Sequence, residues 1–409
     1  LDYDQQTARF RLHDLVRDFL AGRLSADEQW QAEALHSVHY LQVAGEADAL
    51  YCQGSEHVLE GLRMFDAEWS HIQAGQAWAA AQAGKDEDLD RLCALYPDAA
   101  ADILPLRLHP RDYIRWLEAA LQAARRLGLR EYEGYHLGNL GNAYDSLGQY
   151  SQAIQYLQQT LAIAREIGDR RGEGTVLGNL GAAYQSLGQY DKAIEHHQQH
   201  LAIARQIGDR LGEGTALGNL GLCYRALGQY EQAIQHHQKS LEIARQIGDR
   251  LGEGQSLGNL GNAYHALGQY EQAIQHHQQA LAIDREIGSQ LGEAQDLGNL
   301  GLCYHALGQY EQAIEHHQQA LAIDREIGDR LGEGNALGNL GNAYGALGQY
   351  ENAIEYYQQA LDIARQIGDR RGEGNALGNL GLVYEELGDL PRARQLWQQA
   401  LAIFEQLGV

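Results

Sequence analysis

The amino-acid sequence predicts an all-α protein: an α-solenoid superhelix of helix–turn–helix repeats, preceded by an atypical helical segment. Residues 131–409 repeat with a period of forty residues, and a fixed period of about 20 to 50 residues is typical of solenoids. The blocks 251–290 and 291–330 differ at only 7 of 40 positions. All four prolines lie outside 131–390, so no proline interrupts the helices predicted there.

Each repeat carries two apolar stripes with helical spacing. In one repeat, Leu257, Leu260 and Tyr264 follow one another at i, i+3 and i+7, which predicts one buried face of a first helix. The second helix keeps this spacing with Ala273, Ile274, His277, Ala280, Leu281 and Ile283. Leu-Gly-Gln at 267–269 is predicted to end the first helix, and Gly288 the second. An Asp after this glycine predicts an N-cap for the next helix. The residues concerned are Asp169, Asp209, Asp249, Asp329 and Asp369.

The core residues of these repeats resemble those of the tetratricopeptide repeat. Leu260, Gly261, Tyr264, Ala273 and Ala280 have the spacing of that family, and the pattern holds in seven consecutive repeats. The forty-residue length and the linker I-G-D-R-x-G-E-G are most similar to the long-repeat members, which include kinesin light chains, the Leu-Gly-Asn-repeat adaptors of spindle orientation and many bacterial signalling proteins. The resemblance implies a right-handed superhelix with a concave groove that binds a peptide or a protein.

The first helix of each repeat contains two interior glycines, although an interior Gly destabilises a helix by roughly 1 kcal/mol relative to Ala. For Gly261 and its equivalents, close packing of the two helices of a repeat explains the choice. Gly258 lies off the apolar stripe, on the face that the resemblance turns toward the groove. Two interpretations stay open: the missing side chain lets a ligand backbone approach, or a tight superhelix needs the space.

One asparagine per repeat lies beside this second glycine. Asn is a poor helix-interior residue, because its amide competes for backbone hydrogen bonds. On a groove wall, however, it offers a donor and an acceptor to an extended peptide, and the resemblance implies the same role. The alternative is an inter-repeat hydrogen bond that shapes the superhelix. This asparagine ladder comprises Asn139, Asn179, Asn219, Asn259, Asn299, Asn339 and Asn379.

The residues three and six positions after the ladder vary most between otherwise near-identical repeats. This variation predicts that ligand specificity lies there, although duplication of repeats in pairs followed by drift gives the same alternation. The first variable position provides the candidate binding residues Asn142, Leu222, Asn262, Leu302 and Asn342. The second provides Arg225, His265 and His305.

Histidine pairs occur in four second helices, at 196–197, 236–237, 276–277 and 316–317. Adjacent helical residues point about 100° apart, so one pair does not readily chelate one ion, and the second His of each pair occupies a core position that is aromatic in the family. Packing is the expected role, with a metal site or a pH-sensitive interface as alternatives. No Walker A, H-E-x-x-H or C-x-x-C motif is present, which predicts a non-enzyme without cofactor or metal.

The N-terminal region lacks the repeat and carries a second, weaker resemblance. Residues 8–20 are predicted to form an amphipathic helix. Leu12-His13-Asp14 resembles the Met-His-Asp motif at the winged-helix end of STAND-class (NB-ARC) signalling ATPases, and Phe65–Trp78 is similar to the helical segment before the repeats of bacterial members. The resemblance implies that His13 contacts a nucleotide phosphate; an ordinary helix-start His is the alternative.

These observations divide the chain into three parts. The resemblance implies that residues 1–25 are a remnant of a winged-helix-like segment. We expect 26–130 to form an atypical helical linker with N-terminal capping repeats, and 131–409 to form seven repeats, the last atypical. The net charge of −24 argues against a nucleic-acid partner, and no apolar run approaches twenty residues, which argues against a membrane span. The four cysteines lack disulfide spacing, which favours a cytoplasmic location. Cys223 and Cys303 are expected to be buried. Because the chain begins with Leu, we expect it to be a fragment.

Four functions remain open on the sequence alone. The first is a peptide- or protein-binding sensor region of a bacterial STAND ATPase, and the second is a free-standing scaffold. The third is a metal protein or enzyme built on the histidines, which metal analysis would test. The fourth is a homo-oligomer that associates through its terminal repeats.

Overall fold

A computed structural model of the protein describes residues 2–4, 9–11, 23–54 and 57–408, in which a two-stranded antiparallel hairpin is followed by nineteen α-helices. The hairpin pairs β1 (Asp2–Asp4) with β2 (Arg9–Arg11). The prediction of a helix over 8–20 is therefore wrong at Arg9–Arg11, where the alternation Arg-Phe-Arg follows the two-residue period of a strand. The remainder of that predicted helix, with the candidate residue His13, lies outside the described residues.

Five helices precede the repeats: α1 (Ala26–Cys52), α2 (His57–Gln82), α3 (Glu87–Ala99), α4 (Leu104–Arg107) and α5 (Pro110–Leu127). They enclose a core that includes the fully buried Phe65, Ile72 and Tyr96. The Tyr96 hydroxyl donates to the Ser37 carbonyl at 2.7 Å. This region is more regular than its prolines indicate, because Pro97 lies inside α3 and the other two prolines lie in the first turns of α4 and α5, where the missing N–H has no helical partner.

Seven repeats follow, each with a first helix of 17 residues and a second of 18. The first helices are α6 (Arg130–Ser146), α8 (Arg170–Ser186), α10 (Arg210–Ala226), α12 (Arg250–Ala266), α14 (Gln290–Ala306), α16 (Arg330–Ala346) and α18 (Arg370–Glu386). The second helices are α7 (Tyr150–Ile167), α9 (Tyr190–Ile207), α11 (Tyr230–Ile247), α13 (Tyr270–Ile287), α15 (Tyr310–Ile327), α17 (Tyr350–Ile367) and α19 (Leu390–Leu407). The predicted helical-repeat solenoid is thereby confirmed.

The chain clusters into two compact parts, Leu1–Gln189 and Tyr190–Val409. None of the helices in the described stretches combines the length and the apolarity that a membrane crossing demands.

The helix ends follow the sequence prediction. Gly268 and Gly288 both have φ of +72°, a left-handed conformation that glycine adopts without strain. At the next helix start, the Asp249 side chain accepts a hydrogen bond from the Gly252 N–H at 2.9 Å. All five predicted aspartate caps make this bond.

The apolar stripes form a core that neighbouring repeats share. Leu257 and Leu260 are 1% and 0% exposed and cluster with Ile234 and Leu241 of the preceding second helix. Each repeat therefore completes the core of the next, as expected for a solenoid. Cys223 and Cys303 are fully buried, as predicted.

A buried glutamate joins successive repeats through two arginines. Glu253 is 9% exposed; it accepts from Arg245 of the preceding helix at 2.8 Å and from Arg250 of its own helix. Burial alone would raise the pKa of Glu253, but the two guanidinium groups hold this pKa below its usual value. The same arrangement occurs at Glu133, Glu173, Glu213, Glu333 and Glu373. This contact explains the conserved form of the linker within the chain, I-G-D-R-x-G-E-G.

Candidate functional site

Four clefts follow one another between successive first helices of the part Tyr190–Val409. Cleft 1 lies between α10 and α12, cleft 2 between α12 and α14, cleft 3 between α14 and α16, and cleft 4 between α16 and α18, with volumes of about 430, 490, 440 and 260 Å³. Asn259 borders clefts 1 and 2, Asn299 clefts 2 and 3, and Asn339 clefts 3 and 4. The clefts therefore form one continuous stretch, called the groove below.

The asparagine ladder supplies polar side chains along this groove. Asn219 and Asn379 line its two ends, and the three asparagines between them line its middle. All five are half-buried. The remaining members, Asn139 and Asn179, belong to the other compact part of the chain.

The ladder asparagines fall into two groups by their hydrogen bonds. Asn179 donates to Asn142 Oδ1 at 3.0 Å, and Asn379 donates to Asn342 Oδ1 at 3.3 Å. These are the inter-repeat bonds that the sequence left as an alternative. The side chains of the four remaining groove asparagines have no hydrogen-bond partner in the part of the chain that the structure describes. These four are Asn219, Asn259, Asn299 and Asn339.

The two glycines of the first helix have different surroundings. A Cβ on Gly301 would lie 2.5 Å from the His317 ring, which confirms the close packing expected there. A Cβ on Gly298, Gly338 or Gly378 would meet no atom within 4 Å. Helix packing therefore does not account for these glycines, and their missing side chains leave space over the groove floor.

The first variable position lies in the groove and the second does not. Leu222 borders clefts 1 and 2, Asn262 cleft 2, Leu302 cleft 3 and Asn342 cleft 4. By contrast, the candidate residues of the second position have other surroundings. The His265 and His305 rings lie edge-on against Tyr270 and Tyr310 at 5.3 and 5.2 Å, and Arg225 is exposed without lining any of these clefts.

Exposed leucines, absent from the sequence-based candidate list, line the groove as well. This leucine rim comprises Leu211, Leu251, Leu291 and Leu331, which are 58%, 52%, 49% and 53% exposed. The equivalent residues in the repeats on either side, at 171 and 371, are arginines. A row of apolar side chains held in water is typical of a protein-binding surface. The replacement of these arginines by leucine in the four central repeats is the sequence signal that could have identified the rim.

Three aspartates form the second feature that sequence reasoning missed. Asp284 and Asp296 line cleft 2 and Asp324 lines cleft 3, and they are 8%, 5% and 5% exposed. Burial, followed by repulsion from Asp296, raises the pKa of Asp284 to about 6. Burial likewise raises the pKa of Asp324 to about 6. Their equivalents at 164, 204, 244 and 364 are alanines, so the fold does not require an acid at this position.

The histidine pairs serve packing, as expected. His197, His237 and His317 are 0%, 0% and 1% exposed, and burial lowers the pKa of each to about 4. The fourth, His277, differs because its Nδ1 lies 3.0 Å from Asp296 Oδ1. In three repeats the first His of the pair stacks on the tyrosine of its own first helix, in the pairs Tyr224–His236, Tyr264–His276 and Tyr304–His316.

One group of side chains outside the groove has the chemistry to hold a metal ion. Asp48, Cys52 and Asp102 bring three ligand atoms within 4.8 Å of one another. The Cys52 thiol donates to Asp102 Oδ2 at 3.0 Å, and this bond, together with burial, raises the pKa of the thiol to about 11. The thiol is therefore not a reactive nucleophile at neutral pH.

The fold and the groove define a protein-interaction module built from helical repeats. The chain belongs to the tetratricopeptide repeat family. The family model matches residues 114–166, 172–246, 214–286, 252–326, 290–366 and 332–406. No curated protein sequence matches the chain significantly.

Solved structures of three proteins share this fold. The apo form of the quorum sensor NprR from B. thuringiensis is 14% identical, with a TM-score of 0.61 over 93% of this chain and 100% of that one. A STAND protein with a tetratricopeptide repeat sensor from Pyrococcus horikoshii is 18% identical, with a TM-score of 0.60 over 98% of this chain and 66% of that one. A Rap protein complexed with Competence and Sporulation Factor is 16% identical, with a TM-score of 0.57 over 92% and 99%.

Proposed function

We propose that the chain binds an extended segment of a peptide or protein in the groove, with the asparagine ladder holding the ligand backbone. The observation that carries this proposal is the row Asn219, Asn259, Asn299 and Asn339, which line a continuous groove without hydrogen-bond partners in the described chain. An Asn amide pairs with a peptide group as donor and acceptor at once. Four such side chains, one in each repeat, can pair with successive peptide groups of an extended ligand.

The glycines and leucines of the groove complete this mode of binding. The open space at Gly298 and Gly338 lets a ligand backbone approach the helix surface. The leucine rim then provides apolar contact for ligand side chains, which alternate in direction along an extended chain. The complex of a Rap protein with Competence and Sporulation Factor shows that a protein of this fold holds a partner molecule.

The setting we propose is the sensor region of a bacterial STAND-type signalling ATPase, in which ligand binding relieves autoinhibition. The fold shared with a STAND protein that has a tetratricopeptide repeat sensor supports this setting. A free-standing scaffold is the alternative. A P-loop domain encoded in the same reading frame would decide for the STAND setting, and its absence would decide for the scaffold.

The test is selection of binders from a phage-displayed library of random dodecapeptides on the wild-type chain. The selected peptides are then titrated against a ladder variant and against a matched control. The ladder variant carries Asn219→Ala, Asn259→Ala, Asn299→Ala and Asn339→Ala. The control carries Gln198→Ala, Gln278→Ala, Gln318→Ala and Gln358→Ala, four exposed positions outside the groove.

We expect the ladder variant to lose at least tenfold in affinity, because several charge-neutral hydrogen bonds of about 1 kcal/mol each disappear together. The control should change affinity less than twofold. Both variants must retain the helical circular dichroism of the wild type. Equal affinity for all three chains would show that the ladder does not bind the ligand, and failure to select any peptide would argue against the proposed function itself.

A further inference from the structure

The three groove aspartates are buried in an arrangement that the solenoid does not need. Asp284 and Asp324 replace the alanines of four other repeats, and Asp296 replaces His, Val, Ala or Ser. A buried carboxylate is costly unless a cation or hydrogen bonds compensate it. No Lys or Arg side chain pairs with these carboxyls in the described ranges, since the neighbouring Arg285 and Arg325 are bound to Glu293 and Glu333.

One buried oxygen of this cluster lacks a hydrogen-bond partner in the described chain, and it belongs to a residue that lines cleft 2. Asp296 is 5% exposed; its Oδ1 lies 3.0 Å from His277 Nδ1, and its Oδ2 has no donor in the described chain. A Cβ on Gly258 would lie 3.4 Å from Asp296 Oδ1, so the glycine of the helix before it keeps the approach to this carboxylate open. In cleft 3, Asp324 likewise has no hydrogen-bond donor in the described residues.

We propose that clefts 2 and 3 are cation subsites, in which the Asp284–Asp296 pair and Asp324 receive arginine or lysine side chains of the bound peptide. This inference rests on the proposed function, because the asparagine ladder holds the backbone that carries these side chains. Two adjacent acidic subsites favour a ligand with at least two basic residues. Clefts 1 and 4 have Ala244 and Ala364 at this position. The aspartates that line these two clefts, Asp249 and Asp369, cap helix starts, so we expect clefts 1 and 4 to take neutral side chains.

The chain's own chemistry fits a guanidinium or ammonium group. Carboxylate oxygens in a low-dielectric cleft form short, charge-assisted bonds with such groups, and the two carboxyls of cleft 2 offer a planar guanidinium several acceptors. Binding also supplies a guanidinium or ammonium group, which the described chain does not pair with these acids. Ligand cations therefore relieve a cost that is present in the free protein.

The probe is the blocked dodecapeptide acetyl-(Ala-Arg)6-amide, which in an extended conformation presents an arginine on the same side about every 7 Å and so tests all registers. Its neutral counterpart has citrulline in place of every arginine. Both are titrated by fluorescence anisotropy in 150 mM salt with EDTA, where nonspecific attraction is screened beyond about 8 Å.

Two variants are compared, and each neutralises three acidic side chains, one set in the clefts and the other on the surface. The groove variant carries Asp284→Asn, Asp296→Asn and Asp324→Asn. The surface variant carries Glu271→Gln, Glu311→Gln and Glu351→Gln, at exposed helix starts outside the clefts. We expect the arginine peptide to bind the wild type and the surface variant within twofold of each other, and the groove variant at least tenfold more weakly. The citrulline peptide should bind all three chains equally weakly.

Three results would overturn the inference: no binding of the arginine peptide, equal loss in both variants, or equal affinity for the citrulline peptide. Should the groove variant lose its helical circular dichroism, Asp324→Asn alone, which leaves the His277–Asp296 contact intact, must still weaken binding at least threefold.

The outcome separates this inference from the proposed function. In one outcome, library-selected peptides lose affinity for the ladder variant but bind the groove variant with the same affinity as the wild type. This outcome would support the peptide-binding function and refute the cation subsites. Arginine-peptide binding that depends on the aspartates but not on the ladder would support the subsites and refute the role of the asparagines.

Discussion

The buried His237 predicts a substitution that stabilises the protein. Its ring is 0% exposed, and neither nitrogen has a hydrogen-bond partner in the described chain. An unpaired buried polar group lowers the stability of the folded state by about 1 to 3 kcal/mol. Phenylalanine at position 237 removes both unpaired ring nitrogens. The equivalent Tyr357 packs on Gly341 as the His237 ring packs on Gly221, so the position accepts a larger ring. We expect His237→Phe to raise the free energy of unfolding by about 2 kcal/mol at pH 7.5.

The stabilisation by His237→Phe should be larger at acidic pH. Burial, with Arg225 and His236 nearby, lowers the pKa of His237 from 6.5 to about 4. Below pH 6.5 the unfolded chain therefore binds a proton that the folded chain does not, and the wild type loses stability as the pH falls toward 4. At pH 5.0 this loss is about 2 kcal/mol for one such histidine. Phenylalanine does not titrate, so the stabilisation by His237→Phe should reach about 4 kcal/mol there.

Peptide-resolved amide hydrogen exchange is the assay, read in α10 and α11 for His237→Phe and in α12, α13 and α14 for its control, because repeat arrays open locally and need not unfold in one transition. The control is His277→Phe, which removes the partner of Asp296 Oδ1 and should destabilise the protein by about 1 to 3 kcal/mol. The reasoning is refuted if His237→Phe leaves the opening free energy unchanged, or if the two substitutions act with the same sign.

Two further substitution pairs test the groove and the junctions. Gly338→Ala should stabilise the helix by up to about 1 kcal/mol and weaken ligand binding. Gly341→Ala should destabilise the protein, because the new Cβ would lie 2.6 Å from the Tyr357 ring. Thermal unfolding measures the two stability changes, and peptide titration measures the two affinities. Glu253→Gln should lower stability by about 1 to 2 kcal/mol at pH 7.5. Glu293→Gln should lower it by less, because Glu293 pairs with Arg285 and has Gln290 where Glu253 has Arg250. Urea titration that ranks the two glutamates in the opposite order would contradict this account.

The repeat architecture follows from local chemistry and was predictable for that reason. The helix periodicity, the left-handed glycine at 288 and the aspartate caps each depend on neighbours within a few positions. The hairpin residue Phe10 shows the limit of such reasoning, because a short segment satisfied an amphipathic helix pattern and formed strand β2 instead.

The site was predictable only in outline. The spacing placed the asparagine ladder, but the partner of Asn179 is a residue 37 positions earlier, and only the packing of two helices decides whether the amides meet. The cluster of Asp284 and Asp296 joins two helices in the same way. The sequence showed these acids as departures from the repeat; the packing of the two helices determines that they share one cleft.

The glutamate junction has a consequence for how such a chain changes length. Loss of the forty residues 251–290 would bring Leu291 directly after Arg250. Glu293 would then lie eight residues after Arg245 and three after Arg250, which are the separations that these arginines have from Glu253 in the present chain. An unequal crossover between near-identical gene segments thus restores both arginine bonds of this glutamate junction. Evolution can therefore shorten or extend the binding surface in whole repeats without redesigning this junction.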